Sequence, residues 1–164
     1  MHRTAVRPSC PLSRTVSTVD LNLLMTRLPD GYTLTDTVPA VDTYLHLRRI
    51  AGLSPKTEAG AALGLPRSLI AVEIVTAGQT VGMGRVVGDG ALFVQVVDIA
   101  VDPAHQGKGL GKAIMARLME RMKADLPSGT YVSLLADGEA HRLYAQYGFA
   151  LTAPASVGMA MKLP

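Results

Sequence analysis

The sequence predicts a single three-layer α/β domain around a mixed, mostly antiparallel sheet. Three observations carry that prediction. Residues 69–102 are β-rich: "LIAVEIVTA", "TVGMGRVVGD" and "ALFVQVVDIAVD" are apolar runs parted by "GQ" and "DG" turn signals, the pattern of an antiparallel meander. The next run, "GLGKAIMARLMERMKADL" (109–126), is helical, with Leu110, Ile114, Leu118 and Met122 recurring at i+4. Helical and strand patterns then interleave on both sides of these two blocks, which calls for helices covering a sheet.

The elements follow in order. "YTLTDTV" (32–38) alternates like a strand, and "PAVDTYLHLRRIAGL" (39–53) is helical, with Pro39 suited to a first turn. A short second helix is expected in 54–66, between Pro55 and Pro66, before the meander. After the long helix, which Pro127 ends, "TYVSLLA" (130–136) predicts a buried strand and "GEAHRLYAQYG" (138–148) a short helix stopped by Gly148. "FALTA" and "VGMAMKL" are expected as closing strands. Residues 1–19, with Pro8, Pro11 and no acid, predict a flexible N-terminal extension, and "DLNLLMTRL" (20–28) a short helix at the start of a domain spanning 20–164.

Composition narrows the function. At 164 residues the chain suits one domain, and a hydrophobic share of 48% supplies its core. Two Phe, five Tyr and no Trp leave little with which to stack bases, and the net charge of +3 forms no basic stripe, so nucleic acid is not an expected partner. No apolar run reaches the ~18 residues of a membrane span, so no membrane partner is expected either. The one cysteine, Cys10, and four scattered histidines give no metal-ligand spacing. A cytoplasmic location is expected. The alternative is a mitochondrial transit segment in the Arg-bearing, acid-free residues 1–19.

The stretch that carries chemistry is "HQGKGLGKA" (105–113), at a strand-to-helix junction. The first amides of a helix lack intrahelical partners and carry the positive end of its dipole. Glycines let the backbone approach a ligand, and Lys108 and Lys112 add charge, so the stretch predicts a phosphate site. The Walker pattern fails: three residues, not four, separate Gly107 from Gly111, and Ala113 follows Lys112. The dinucleotide pattern fails too, because Gly107, Gly109 and Gly111 are evenly spaced.

What fits is Q-x-x-G-x-G, at Gln106, Gly109 and Gly111. With "LYAQYGF" (143–149) downstream, in which Tyr144, Gly148 and Phe149 keep a Y-x-x-x-G-F spacing, the chain resembles the GNAT N-acetyltransferase superfamily over about residues 30–163. The resemblance implies a GNAT-like domain and acetyl-CoA as co-substrate. It puts the pyrophosphate on Gln106, Gly107, Lys108, Gly109, Leu110, Gly111 and Lys112, and the pantetheine along Ile99, Ala100 and Val101. The Ile99 amide would face the thioester oxygen as an oxyanion-type donor. Tyr144 would protonate the departing thiolate, and Asp137, where relatives often have Asn, would either touch pantetheine or cap the following helix.

An attacking amine must be neutral, so a base is sought. Asp98, a carboxylate inside "VVDIAV", is the candidate, with a structural ion pair as the other reading. Gln95 stands where some relatives carry a glutamate base and cannot take a proton; Glu73 is a second strand carboxylate, and a water chain could serve instead. The expected reaction is direct transfer of acetyl to a small-molecule primary amine in a ternary complex, with an amino sugar such as D-glucosamine as the leading acceptor. Arylalkylamines, polyamines and protein or peptide amines are alternatives, and a non-catalytic acyl-CoA-binding module is the rival of another class. The C-terminal "SVGMAMKL" could pair across a two-fold axis in a homodimer.

Overall fold

The computed structural model describes residues 28–163. The predicted N-terminal extension and all but the last residue of the predicted helix 20–28 lie outside the described residues. Strand β1 (Tyr32–Thr35) leads to helices α1 (Val41–Ile50) and α2 (Glu58–Gly64). Strands β2 (Ile70–Thr76), β3 (Gln79–Gly88) and β4 (Phe93–Val101) follow, then helix α3 (Leu110–Asp125), strand β5 (Tyr131–Ser133) and helix α4 (His141–Ala145). The sheet runs β1-β2-β3-β4-β5, antiparallel from β1 to β4 and parallel between β4 and β5.

The turns explain the meander. Thr76 pairs with Gln79 across Ala77 and Gly78, both at positive φ, the backbone a two-residue hairpin requires. At the next turn Asp89 Oδ1 accepts from the amides of Ala91, Leu92 and Phe93. Those three bonds hold the Asp89 carboxyl below its ordinary range.

Two cores lie on opposite faces of the sheet. Val72, Ile74 and Val96 pack beneath Ile114, Met115 and Leu118 of α3. Gly82 and Gly84 let that helix come close: a Cβ at Gly84 would stand 2.5 Å from Ile114 Cγ2. On the other face Met83 and Ala100 pack against Tyr44 and Leu47 of α1 and against Ala61 and Leu65. The three-layer architecture is the one expected.

Outside the sheet, Asp36 clamps the end of β1 to α3. It accepts from Arg117 Nε at 2.8 Å and Arg121 Nη1 at 2.8 Å, and it also pairs with Arg117 Nη2. Arg117, followed by Arg121, lowers the Asp36 carboxyl below its ordinary value of 3.8. A carboxyl depressed by folding stabilises above its unfolded pKa and loses that contribution as pH falls through the folded value. The clamp is partly exposed, so Asp36→Asn is expected to cost about 0.5–1 kcal/mol at pH 7. Urea melts should show the gap between wild type and variant closing below about pH 4.

Three expectations change. β5 spans three residues rather than seven. The helix expected over 138–148 is a 3-10 turn, Gly138–Ala140, followed by the five-residue α4. The closing strands are absent: residues 149–163 form no strand, and Met159 is 92% exposed. Their alternating pattern has no paired edge to satisfy it.

Candidate active site

The site begins where two strands part. β4 and β5 pair only from Phe93↔Tyr131 to Gln95↔Ser133. β4 then continues to Val101, while residues 134–137 leave the sheet. Just beyond the parting β4 carries a bulge: Met83 faces Ala100 but Arg85 faces Val97, so one extra residue is taken up in β4. That residue is Asp98, at φ +59°, a left-handed conformation that Asp tolerates better than most residues. The bulge also reverses which side chains face α3. Val94 and Val96 point to the α3 core before it; Ile99 and Val101 do so after it.

Asp98 is thereby turned to the α1 face, where it joins a buried network. Its side chain, 6% exposed, pairs with Arg48 Nη1 and accepts from Arg85 Nε at 2.8 Å and Nη2 at 2.5 Å, with the Tyr44 hydroxyl at 3.3 Å. Arg48 also donates to the Ser54 carbonyl and hydroxyl, and Arg85 to Ser68 Oγ. Burial, with the Asp98 charge, raises the Tyr44 phenol above its ordinary value. Three of the four donors fall on Oδ2 and one, from Arg48, on Oδ1. The ion pair expected of a structural Asp98 is present, with two arginines rather than one. Arg48, Arg85 and Tyr44 are not among the expected site residues; the signal available in the sequence is Arg85, an arginine inside the apolar run "TVGMGRVVGD".

The glycine loop closes one end of the gap. Asp102 Oδ1 accepts from the Ala104 amide at 2.8 Å and starts a 3-10 turn, Pro103–His105. Gln106 Nε2 donates to the Val101 carbonyl at 3.1 Å, tying the loop to the end of β4. Gly107 and Gly109 take φ of +76° and +81°, and Gly109 is the N-cap of α3. No side chain among the described residues caps that helix, and no acid lies in its first turn. Lys108 Nζ donates to the Tyr32 hydroxyl at 2.8 Å, and that hydroxyl also bonds His105 Nδ1 at 2.8 Å.

Helix α4 stands over the start of α3. The Tyr147 hydroxyl donates to the Lys112 carbonyl at 2.7 Å, and Leu143 Cδ2 lies 3.7 Å from where a Cβ on Gly111 would be. The Tyr144 ring is buried and meets Phe149 edge-on at 6.4 Å. Its hydroxyl makes no hydrogen bond among the described residues. Desolvation, with the Asp137 charge, raises its phenol above 10.0. Asp137 makes no side-chain cap, and Arg142 pairs with Glu139 on an exposed face. Gln95 lies in the paired part of β4, opposite Ser133 and Val87. Glu73 is buried on β2 and accepts from Thr37 and Thr80 hydroxyls.

The arrangement therefore offers a gap between parallel strands, uncapped amides and lysines at its end, and a neutral phenol with no bonded partner among the described residues. Comparison with known proteins defines the class. The family described as "Acetyltransferase (GNAT) domain" matches residues 67–151. The chain belongs to the GNAT family and is an N-acetyltransferase, an enzyme class that uses acetyl-CoA as co-substrate.

Among solved structures it resembles a protein of unknown function from meticillin-resistant Staphylococcus aureus, described as a probable acetyltransferase. The identity is 42% and the TM-score 0.77, covering 80% of this chain and 99% of that one. Among curated proteins, the chloroplastic GCN5-related N-acetyltransferase 1 of Arabidopsis thaliana is 28% identical over 137 residues, 74% of this chain and 70% of the relative. The chloroplastic serotonin N-acetyltransferase 2 of Oryza sativa subsp. japonica is 36% identical over 85 residues, 52% of this chain and 42% of the relative.

Proposed function

We propose that the chain moves acetyl from acetyl-CoA to the primary amine of a small polar molecule, by direct attack in a ternary complex. The observation that supports this most is the parting of β4 and β5 beside an uncapped, acid-free helix N-terminus. The pyrophosphate would take the amides of Gly107 to Lys112, with Lys108 and Lys112 adding charge. The pantetheine would lie in the gap along Ile99, Ala100 and Val101, with the Ile99 amide as oxyanion donor. Tyr144, neutral at physiological pH, would give its proton to the leaving thiolate. Asp98 holds the bulge that presents Ile99, and proton removal from the amine passes to water.

A base as weak as water suits an amine of lowered pKa, which favours an amino sugar such as D-glucosamine over a lysine-like amine. The α1 face beside Ile99 supports a polar acceptor: Arg48, Arg85, Ser54 and Ser68 meet there around a single aromatic ring, Tyr44. The test is free-thiol release from acetyl-CoA with a panel of amino sugars, arylalkylamines, polyamines and peptides. Release with an amino sugar above the others supports the reading. Measurable acetyl-CoA affinity without release for any amine defeats it.

Gly111→Ala separates binding from folding. Gly111 has ordinary helical φ, and a Cβ there meets only Leu143 at van der Waals distance. The fold should tolerate the methyl, with stability unchanged or raised by up to about 1 kcal/mol. Acetyl-CoA affinity should fall at least tenfold if backbone approach to the pyrophosphate matters, as calorimetric titration and a thermal melt of one sample will show.

A further inference from the structure

Arg48 and Arg85 are 5% and 8% exposed, and among the described residues the one carboxylate paired with them is Asp98. Buried charges are ordinarily balanced, so two guanidinium groups against one carboxylate leave one positive charge over. Another buried carboxylate on this face of the sheet is Glu73, opposite Met83; it is held by threonine hydroxyls and makes no ion pair among the described residues. Arg85 uses three of its five N–H donors, two on Asp98 and one on Ser68, which leaves two.

Arg85 also lines a cavity of about 230 Å³ between α1, α2 and the sheet, with Tyr44, Ala61 and Leu65 among its walls. Lys56, exposed and without an ion pair among the described residues, stands at the same cavity. Helix α2 keeps the space open with small residues. Gly64 lines it, and a Cβ there would meet nothing within 4 Å, so neither packing nor backbone strain calls for glycine at this helical position. The volume is below the 300–1,000 Å³ of common ligand pockets, so it holds part of a molecule: a charged group and a few carbons.

We propose that this cavity receives an anionic group, phosphate or carboxylate, carried by the acceptor amine, with Arg85 and Lys56 as its charge partners. Arg85 spans from the cavity to Asp98, whose chain neighbour is Ile99, so the anion sits on the α1 side of the strand that lines the gap. The assignment rests on the acetyltransfer reading for its substrate and on the cavity alone for its anion.

The test has two arms. In turnover assays D-glucosamine is compared with D-glucosamine 6-phosphate, and an amine bearing a carboxylate with its amide. The anionic member of at least one pair should be preferred at least tenfold in kcat/KM, the scale of one charge-assisted hydrogen bond, and the preferred pair identifies phosphate or carboxylate. Lys56→Met should raise KM for the anionic member and shrink that preference about tenfold. Equal use of charged and neutral members in both pairs, or a preference that Lys56→Met leaves intact, overturns the proposal. In the second arm inorganic phosphate and acetate are titrated by calorimetry into wild type and Lys56→Met, both saturated with CoA so that the loop cannot take the anion. Binding of either anion that weakens in the variant supports the cavity even if no amine turns over, in which case only the acetyltransfer reading falls. No binding of either anion to the wild type removes the cavity as an anion site.

Discussion

Asp98→Asn is expected to destabilise the protein by about 3 kcal/mol, the scale for stripping a partner from buried charges, and to lower Tm by about 6–12 °C. Asn keeps the shape of the side chain and tolerates the left-handed backbone at φ +59°, so the loss isolates the charge. Arg48 and Arg85 would then face each other across a neutral amide in a region almost closed to water. The result also distinguishes the two readings of Asp98. A structural anchor gives a large stability loss, with activity recovering at low temperature where the fold is intact. A catalytic base gives a folded, stable protein that has lost turnover, together with the acidic limb of its pH–rate profile.

Tyr144→Phe is expected to lower kcat about 100-fold, the low end for loss of a general acid, while leaving KM for acetyl-CoA near its original value. The fold should hold, because Phe keeps the edge-on contact with Phe149 and the lost hydroxyl has no bonded partner among the described residues. Burial raises this phenol above its ordinary 10.0, so its acid form predominates through pH 10 and is lost as pH rises through the higher folded value. The wild-type rate should therefore show an alkaline limb above about pH 10 that the variant lacks. Unchanged turnover in Tyr144→Phe removes the residue from the mechanism.

Much of this was legible in the sequence because local pattern and tertiary packing agree. The i+4 apolar series of 109–126 marked α3 because that face covers the sheet at Ile114 and Leu118. The turn chemistry of Gly78 and Asp89 marked the meander. The glycine loop was legible because spacing alone separates it from other phosphate motifs, and Gly109 does take a left-handed conformation.

What escaped was non-local. "VVDIAV" reads as one straight strand, yet Asp98 is a bulge residue, and only its pairing with Arg48 and Arg85, 50 and 13 residues away, explains where it points. "VGMAMKL" alternates as a strand should, but alternation cannot supply an edge to pair with, and the segment is exposed. The cavity beside Arg85 is built from α1, α2 and β3 together and has no signature in any of them singly.

The central claim is that acetyl-CoA lies in the gap between β4 and β5 with its pyrophosphate on the start of α3. A backbone-amide NMR titration with CoA tests it most directly. The amides of Gly107, Gly109, Leu110, Gly111 and Lys112 should shift together with those of Ile99 and Val101, saturating at one equivalent. Saturable shifts confined to other parts of the molecule, with these seven amides unmoved, would contradict it.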